Sequence, residues 1–230
     1  MRAQLDNQAS LTSHLIPKYN LGCKRILLSD DFLPVFKNNK NCHLVTNAIE
    51  HVTANGIQTE KEELKLDMIV YATGFDIEGS ICGFDTYGRN NTLLRDHFET
   101  QPCAYLGITV PTFPNFFYVL GPNTVLAHSS LIFMIECQVE YIMQTIQKMA
   151  ELHIVTIEPR QDKTRQFQSK MGEWTKNKNF STACRSWYKN KDGVNFVLWP
   201  FNLLQYFWMT GKPNLLNDFK IGFEPEYYNL

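Results

Sequence analysis

The stretch LKLDMIVYATGFD, residues 64–76, decides the fold that the sequence predicts. Its central run, residues 68–72, is short, unbroken and rich in β-forming residues, which is typical of a buried parallel strand covered on both faces. Gly74 follows where that strand would end, and a glycine there lets the backbone turn sharply or approach a ligand closely. Ligands of open α/β sheets bind outside the carboxyl ends of the strands, which here is the position of Thr73 and Gly74. A plain strand end with a turn glycine explains the same residues, so spacing alone leaves both interpretations open.

The residues before this stretch predict a β-meander that leads into it. Residues 42–46, 49–53 and 57–60 each have the composition of a short strand. The pair Asn55-Gly56 between two of these runs indicates a tight hairpin turn, since both residues accept positive φ. The sequence therefore predicts a meander laid on a doubly wound sheet.

The second half of the chain alternates predicted strands with predicted helices. Residues 104–110 and 116–120 have the composition of strands, and a helix is expected to begin at Ser129 or Ser130, either of which is a good N-cap. Apolar residues spaced three and four apart predict the buried face of that helix: Leu131, Ile135, Val139, Ile142, Ile146 and Met149.

Further along, the sequence predicts smaller elements. A shorter helix, marked by Phe167, Met171 and Trp174, is expected after Pro159, and a turn is expected at residues 191–193. The tail is rich in proline and asparagine and is expected to be irregular.

The composition limits the classes of function. The chain has 230 residues, which is enough for one large or two small domains with a sizeable core. Its formal net charge is −1, which gives no electrostatic case for a nucleic-acid partner or an anionic membrane. No apolar run approaches the ~20 residues of a transmembrane segment, and residues 203–209 are expected to be a buried segment rather than a membrane contact.

The cysteine pattern predicts free thiols. The six cysteines are scattered, with no CxxC pair and no secretory leader. We therefore expect reduced thiols and a cytoplasmic protein. The cysteines are Cys23, Cys42, Cys82, Cys103, Cys137 and Cys184.

The residues alone complete no known active site. HExxH, zinc-ligand spacing, GxSxG, a P-loop and GxGxxG do not occur in the sequence, so no metal site is expected. The adjacent cations Lys24 and Arg25 could hold a phosphate, or they could be a solvated basic pair. The turn at residues 121–124, ahead of the long helix, could face an electron-rich ligand or serve only as a proline turn. His128 beside that helix is a weaker candidate for a ligand contact.

Four stretches, in this order, resemble the C-terminal half of flavin-containing and Baeyer–Villiger monooxygenases. They are LIPKYNLGCKR at residues 15–25, ATGFD at 72–76, GPNT at 121–124 and SWY at 186–188. The resemblance implies an α/β fold: a partial doubly wound FAD/NAD(P)-binding fold with a β-meander. Residues 1–45 would be the end of the NADP-binding domain. Residues 46–230 would be the C-terminal half of the split FAD-binding domain, with its closing loop and tail.

The same resemblance implies a function and site residues. FAD reduced by NADPH would react with O2, and one oxygen atom would enter a ketone or a soft heteroatom of a small apolar organic substrate. Lys24 would contact the NADP 2′-phosphate. Arg25 would be the catalytic arginine that stabilises the negatively charged peroxyflavin. Trp187 would lie on a mobile loop that closes over the nicotinamide nucleotide. The predicted FAD contacts are Thr73, Gly74, Asn123 and Thr124.

Part of the family's sequence pattern does not occur in these residues. Both dinucleotide fingerprints and the histidine-containing signature between them would lie upstream, so the N-terminal half of the fold is expected to be missing. We therefore expect an incomplete fragment that is inactive and binds no FAD by itself. Another FAD/NAD(P)H oxidoreductase, or a non-catalytic protein that reuses the half-fold, are the alternative interpretations.

Overall fold

The structure is a computed structural model that describes residues 1–38, 41–75, 83–99, 102–182 and 184–223. The chain divides into two units, one of Met1–Tyr19 with Leu27–Phe75 and one of Asn20–Ile26 with Asp76–Leu230. Both α-helices and small β-sheets are present, in agreement with the predicted mixed α/β class.

The first unit contains two short helices and the predicted meander. Its elements are α1 (Ala9–Leu15), α2 (Phe32–Asn38), β1 (Ile49–Thr53), β2 (Gly56–Thr59) and β3 (Glu63–Lys65). The three strands form one antiparallel sheet in the order β1-β2-β3, which confirms the meander.

The tight turn between β1 and β2 places Gly56 opposite Thr53, as the Asn-Gly signal predicts. A β-carbon on Gly56 would lie 1.9 Å from the carbonyl oxygen of Leu64, so this close strand pairing requires glycine. The strand predicted over residues 42–46 is wrong, since that segment forms no ladder with the described part of the chain.

The stretch at residues 64–76 differs from its prediction. β3 ends at Lys65, and residues 66–75 continue without strand pairing, so the predicted buried strand over 68–72 is wrong. Most of its apolar side chains face solvent: Met68 and Val70 are each 79% exposed and Phe75 is 92% exposed. A strand needs hydrogen-bonded neighbours, and among the described residues none pairs with this segment. Asp76 lies outside the described residues.

The second unit is built around one long helix. Its elements are α3 (Leu94–Phe98), α4 (Leu131–Glu151), β4 (Ile154–Pro159), α5 (Gln161–Thr175), α6 (Leu203–Thr210), α7 (Leu215–Asp218) and β5 (Phe219–Phe223). The Ser130 hydroxyl accepts a hydrogen bond from the Phe133 N–H, 3.3 Å away, so the predicted N-cap is confirmed. The helix predicted after Pro159 is confirmed as α5, with Phe167 and Met171 buried.

The buried face of α4 differs in part from the predicted one, since Ile142 and Met149 pack against the core but are only partly buried. Val139 is 44% exposed and Ile146 is 46% exposed. The residues that α4 buries are Met134, Cys137, Gln138, Tyr141 and Thr145. The apolar residues have the correct helical period, but the buried stripe lies beside the one they predict. The reason is that the core includes the polar side chains of Gln138 and Thr145, whose hydrogen bonds are satisfied there.

Three further expectations change in this unit. Residues 104–110 form a tight turn instead of a strand, because Leu106 has a φ of 56° and Gly107 a φ of 71°. Residues 116–120 form only an isolated antiparallel bridge, between Phe117 and Thr109. The tail is not wholly irregular, since β5 pairs antiparallel with β4. Of the segment predicted to be buried at 203–209, Tyr206 is fully buried whereas Trp208 is 77% exposed. No helix in the described ranges is both long and apolar enough to cross a bilayer.

A polar network lies inside the core of the second unit. The Tyr206 hydroxyl donates to the carbonyl oxygen of Leu106 at 2.8 Å and accepts from Gln138 Nε2 at 3.0 Å. Gln138 Oε1 accepts from the backbone N–H of Leu120 at 2.8 Å. Leu106 and Leu120 both have positive φ, at 56° and 60°. The network therefore satisfies backbone groups in two turns where leucine has positive φ, a conformation that leucine rarely adopts.

A buried carboxylate joins β4 to the turns before it. Glu158 is 5% exposed and accepts hydrogen bonds from Arg89 Nε at 2.8 Å and from the backbone N–H of Thr112 at 3.0 Å. Lys220 Nζ lies 3.4 Å from its Oε1. Burial opposes ionisation of this carboxyl, but the hydrogen bonds from Arg89 and Thr112 and the charge of Lys220 together hold its pKa below the ordinary value of 4.5.

We predict that Glu158→Gln destabilises the chain at neutral pH by about 2 kcal/mol, since hydrogen bonds to a charged group contribute more than neutral ones. A folded-state pKa below the unfolded one gives stability above pH 4.5 that is lost as the pH falls through the folded value. The difference between wild type and variant should therefore shrink in acid. Urea unfolding at pH 7 and pH 3 measures it, with Asp162→Asn as a control whose carboxylate is exposed. Equal free energies of unfolding for Glu158→Gln and wild type at pH 7 would contradict the prediction.

Candidate functional site

A disulfide brings the Lys24-Arg25 segment next to the loop that contains Trp187. Cys23 is bonded to Cys184, with their Cα atoms 6.4 Å apart, although 161 residues separate them in sequence. The prediction of reduced thiols is wrong for this pair, because the fold brings two distant cysteines together and no local spacing signals it. Cys42, Cys103 and Cys137 are free, and Cys82 lies outside the described residues.

The two segments line a cavity of about 680 Å³. Its cations are Lys24 from the first segment and Arg185, Lys189 and Lys191 from the loop, and Trp187 contributes an aromatic wall. Among the described residues, no carboxylate lines it. A cleft lined by one sign of charge attracts a ligand of the opposite sign, and guanidinium and ammonium groups bind phosphate oxygens. The cavity is therefore suited to an anion that also carries a flat ring.

The loop that carries Trp187, residues 184–195, is positioned by Tyr188. Tyr188 is 1% exposed and belongs to a small core with Phe196, Val197 and Leu198. Trp187 is 45% exposed, and the centroids of the two neighbouring rings are 4.4 Å apart. The predicted turn at residues 191–193 is confirmed: the backbone N–H of Gly193 donates to Asn190, and Gly193 has a φ of 78°. Burial of one ring thus holds the other at the cavity.

Arg25 lies close to the buried hydroxyl of Tyr188. Burial raises the pKa of Tyr188, and the nearby charge of Arg25 partly opposes that shift. The hydroxyl is buried without a hydrogen-bond partner among the described residues. The Arg25 side chain is exposed. The structure thus places a permanent positive charge at the edge of this core.

The side chains of Asn123 and Thr124 form hydrogen bonds within the chain. Asn123 has a φ of 59°, and its Nδ2 donates to the carbonyl oxygen of Asn195 at 3.1 Å. Thr124 is fully buried, and its hydroxyl donates to the carbonyl oxygen of Gly121 at 2.6 Å. The Asn123 bond fastens the turn at residues 121–124 to the end of the loop, and the Thr124 bond closes the turn itself. Their predicted place near the flavin ring stays a prediction.

A second cavity shares Lys24 with the first. It measures about 400 Å³ and includes His128, Phe180 and Trp199 in its wall. His128 thus lines a cavity, in keeping with its place as a weaker candidate for a ligand contact. Among the described residues around it, nothing indicates which ligand would bind there.

Thr73 and Gly74 lie in the first unit. Both residues are exposed, and a β-carbon on Gly74 would meet no atom within 4 Å. Gly74 has a φ of 90°, which favours glycine at this position. Their predicted contact with FAD stays a prediction. In the described part of the chain, no group of three or more metal-binding side chains comes together.

Comparison with known proteins shows which enzymes this chain resembles in sequence. FAD-binding monooxygenase ktnD of Aspergillus niger is 36% identical over 211 residues, 90% of this chain and 34% of that protein. A Baeyer–Villiger monooxygenase of Pseudomonas aeruginosa is 33% identical over 193 residues, 83% of this chain and 36% of that protein. The chain is a relative of these monooxygenases. No protein-family model matches it.

Solved monooxygenase structures have the same fold. Cyclohexanone monooxygenase from Rhodococcus sp. Phi1 bound to NADP⁺ aligns with 96% of this chain and 44% of its own, at 28% identity and a TM-score of 0.84. Oxidized steroid monooxygenase bound to NADP aligns with 96% of this chain and 42% of its own, at 25% identity and a TM-score of 0.83. These matches confirm the predicted family resemblance and fold class. The chain spans about a third of the length of the curated relatives it matches.

Some site residues could not be found from the sequence. Lys24 and Trp187 were predicted from the resemblance, and the structure does bring them to one cavity. Arg185, Lys189 and Lys191 complete its positive charge but were not predicted. The signal that could have identified them is the density of cations on both sides of SWY.

Proposed function

We propose that this chain contributes to an FAD- and NADPH-dependent monooxygenase. The reaction inserts one atom of O2 into a ketone or onto a soft heteroatom of a small apolar organic substrate. The observation that carries the proposal is the cationic cavity in which Lys24 and Trp187 meet, in a chain related to named monooxygenases. A cytoplasmic location stays a prediction.

The residues of the cavity fit a phosphorylated nicotinamide nucleotide. Lys24 would hold the 2′-phosphate as a point charge, and Arg185 and Lys191 add positive charge from the opposite wall. Trp187 offers a half-exposed ring that can cover the nicotinamide end. Lys189 acts differently: its Nζ donates to the carbonyl oxygens of Thr182 and Cys184 and so shapes the loop.

Other predicted residues would serve the flavin. Thr73 and the open Gly74 would form one wall of the FAD site, and Asn123 and Thr124 would position a turn near the ring. Bound FAD supplies the electron transfer and the reaction with O2. Arg25 would stabilise the negative charge that develops during oxygenation, which suits a side chain that remains protonated. Residues 1–45 would belong to the NADP-binding domain and residues 46–230 to the FAD-binding domain.

Isotopically labelled O2 tests the proposed reaction. This chain, joined to the part of a related monooxygenase that it does not cover, is loaded with FAD and given NADPH and a panel of ketones and sulfides. We expect one labelled oxygen atom in an ester, lactone or sulfoxide product. NADPH oxidation without labelled product would indicate another FAD/NAD(P)H oxidoreductase. Failure to bind FAD and NADPH would favour a non-catalytic protein. Either outcome would contradict the proposal.

A further inference from the structure

Two neutral polar side chains of the loop line the cationic cavity while their oxygen atoms serve the loop itself. Ser186 Oγ accepts a hydrogen bond from the backbone N–H of Tyr188 at 3.3 Å. Asn190 Oδ1 accepts from the backbone N–H groups of Asp192 at 3.1 Å and of Val194 at 2.9 Å. Both lining side chains are half-buried. The loop thus uses their acceptor atoms and leaves their donor groups unused.

The unused hydrogen-bonding groups on this wall are donors and positive charges. The Ser186 hydroxyl proton and the Asn190 Nδ2 have no acceptor among the described residues. In the same part of the chain, the side chains of Arg185 and Lys191 form no ion pair and no hydrogen bond. Lys189 differs, because its Nζ donates to two carbonyl oxygens of its own segment. Four side chains therefore offer donors that the loop does not use, which suits an anion.

The cavity has room for more than one phosphate group. Its volume of about 680 Å³ lies within the range of about 300–1,000 Å³ that is typical of sites for whole small-molecule ligands. Lys24 comes from one segment, whereas the four donor side chains all come from the loop. This division fits a ligand with two separate anionic groups. A 2′-phosphorylated nucleotide is such a ligand, since its 2′-phosphate and its 5′-phosphate are attached to different carbons of the ribose.

We propose that Arg185, Ser186, Asn190 and Lys191 form a second phosphate subsite, which holds the 5′-phosphate of the nucleotide while Lys24 holds the 2′-phosphate. This inference rests on the proposed function and adds a second anchor to it. The planar guanidinium of Arg185 binds two phosphate oxygens at once, and Lys191 supplies a point charge. Ser186 and Asn190 donate neutral hydrogen bonds, which fix the orientation of the bound group.

Asn190→Asp tests the subsite with the least change to the loop. The new carboxylate keeps an oxygen for the N–H groups of Asp192 and Val194, but it replaces the Nδ2 donor with a charge that repels phosphate. Calorimetry on the full chain should show binding of 5′-AMP and of adenosine 2′,5′-bisphosphate weakened by about 10- to 100-fold. Binding of adenosine 2′-phosphate should change far less. An unchanged NMR signal for the Gly193 N–H shows that the turn is retained.

Arg185→Met and Arg165→Met provide a matched pair. Each removes an exposed guanidinium, but Arg165 belongs to α5 and is not among the residues that line the cavity. Arg185→Met should weaken binding of 5′-AMP by about 10-fold, the loss expected for a hydrogen bond to a charged group. Arg165→Met should bind 5′-AMP as wild type does.

The outcomes separate this subsite from the proposed function. If Asn190→Asp and Arg185→Met bind 5′-AMP as wild type does, or weaken all three nucleotides equally, the second subsite is wrong. In either case a loss of bisphosphate binding in Lys24→Met would still support the proposed nucleotide cavity. If wild type binds none of the three nucleotides, both the subsite and the proposed nucleotide cavity are wrong.

Discussion

Replacing Arg25 with alanine is expected to lower the rate of substrate oxygenation by about 100- to 1,000-fold, the loss typical when one preorganised stabilising group is removed from a developing negative charge. Reduction of the bound flavin by NADPH should remain within a few-fold of wild type, because that step does not create the same charge. NADPH would still be consumed, and O2 would be released as hydrogen peroxide instead of entering the substrate. Stopped-flow absorbance and product analysis on the FAD-loaded protein separate the two steps.

Arg25→Lys is the matched control for this prediction. It keeps the charge but replaces the planar guanidinium with a point charge, so it should retain more oxygenation than Arg25→Ala. A structural role is distinguished by the free energy of unfolding, which should change little for either variant because the Arg25 side chain is exposed. Equal loss of flavin reduction and oxygenation in Arg25→Ala would contradict the assignment.

Replacing Tyr206 with phenylalanine is expected to cost about 3 kcal/mol of folding free energy, although it removes a single oxygen atom. The substitution leaves the carbonyl oxygen of Leu106 and the Nε2 of Gln138 buried without that partner, and each such group costs about 1–3 kcal/mol. The lost bond also supports a leucine at positive φ. Chemical denaturation measures the change, with the slope against denaturant unaltered.

Tyr141→Phe is the control for the same chemical change. Tyr141 is 1% exposed, and its hydroxyl is buried without a hydrogen-bond partner among the described residues. Removing that hydroxyl should leave stability unchanged or raise it slightly, since no bond is lost. If the two variants lose equal stability, packing of the rings and not the hydrogen-bond network determines the effect of Tyr206→Phe.

Local signals in the sequence predicted the elements that depend on local chemistry. The Asn55-Gly56 pair predicted the β1–β2 hairpin, and Ser130 predicted the start of α4. Each of these features is decided within a few residues of the chain, by positive φ at a turn or by a side-chain cap. The sequence pattern contains that information completely.

Features that depend on distant partners could not be predicted in the same way. The buried stripe of α4 includes Gln138, whose partners are Leu120 and Tyr206, so a count of apolar residues misplaces the face. The run at residues 68–72 has the composition of a buried strand, but strand formation requires a paired neighbour. Positive φ at Leu106 converts a predicted strand into a turn, and no leucine side chain signals that conformation.

The candidate site also combines residues that could be predicted from local motifs with features that depend on distant parts of the chain. Lys24 and Trp187 were predicted because the motifs around them resemble a known family. The disulfide, the burial of Tyr188 and the cations of the loop appear only when residues 20–26 and 184–195 are folded together. Pairing across 161 residues leaves no spacing pattern for a reader of the sequence.

Nucleotide binding by Lys24 tests the central claim most directly. The oxidised chain is titrated with adenosine 2′,5′-bisphosphate and with 5′-AMP, which lacks the 2′-phosphate, by isothermal calorimetry or NMR. Lys24→Met should weaken binding of the bisphosphate by about 10- to 100-fold, which is the loss expected for a hydrogen bond to a charged group. The affinity for 5′-AMP should not change. Lys170→Met, which removes an exposed charge from α5, should change neither affinity. If wild type and Lys24→Met bind both nucleotides equally, the cavity at Lys24 and Trp187 is not the site of the NADP 2′-phosphate.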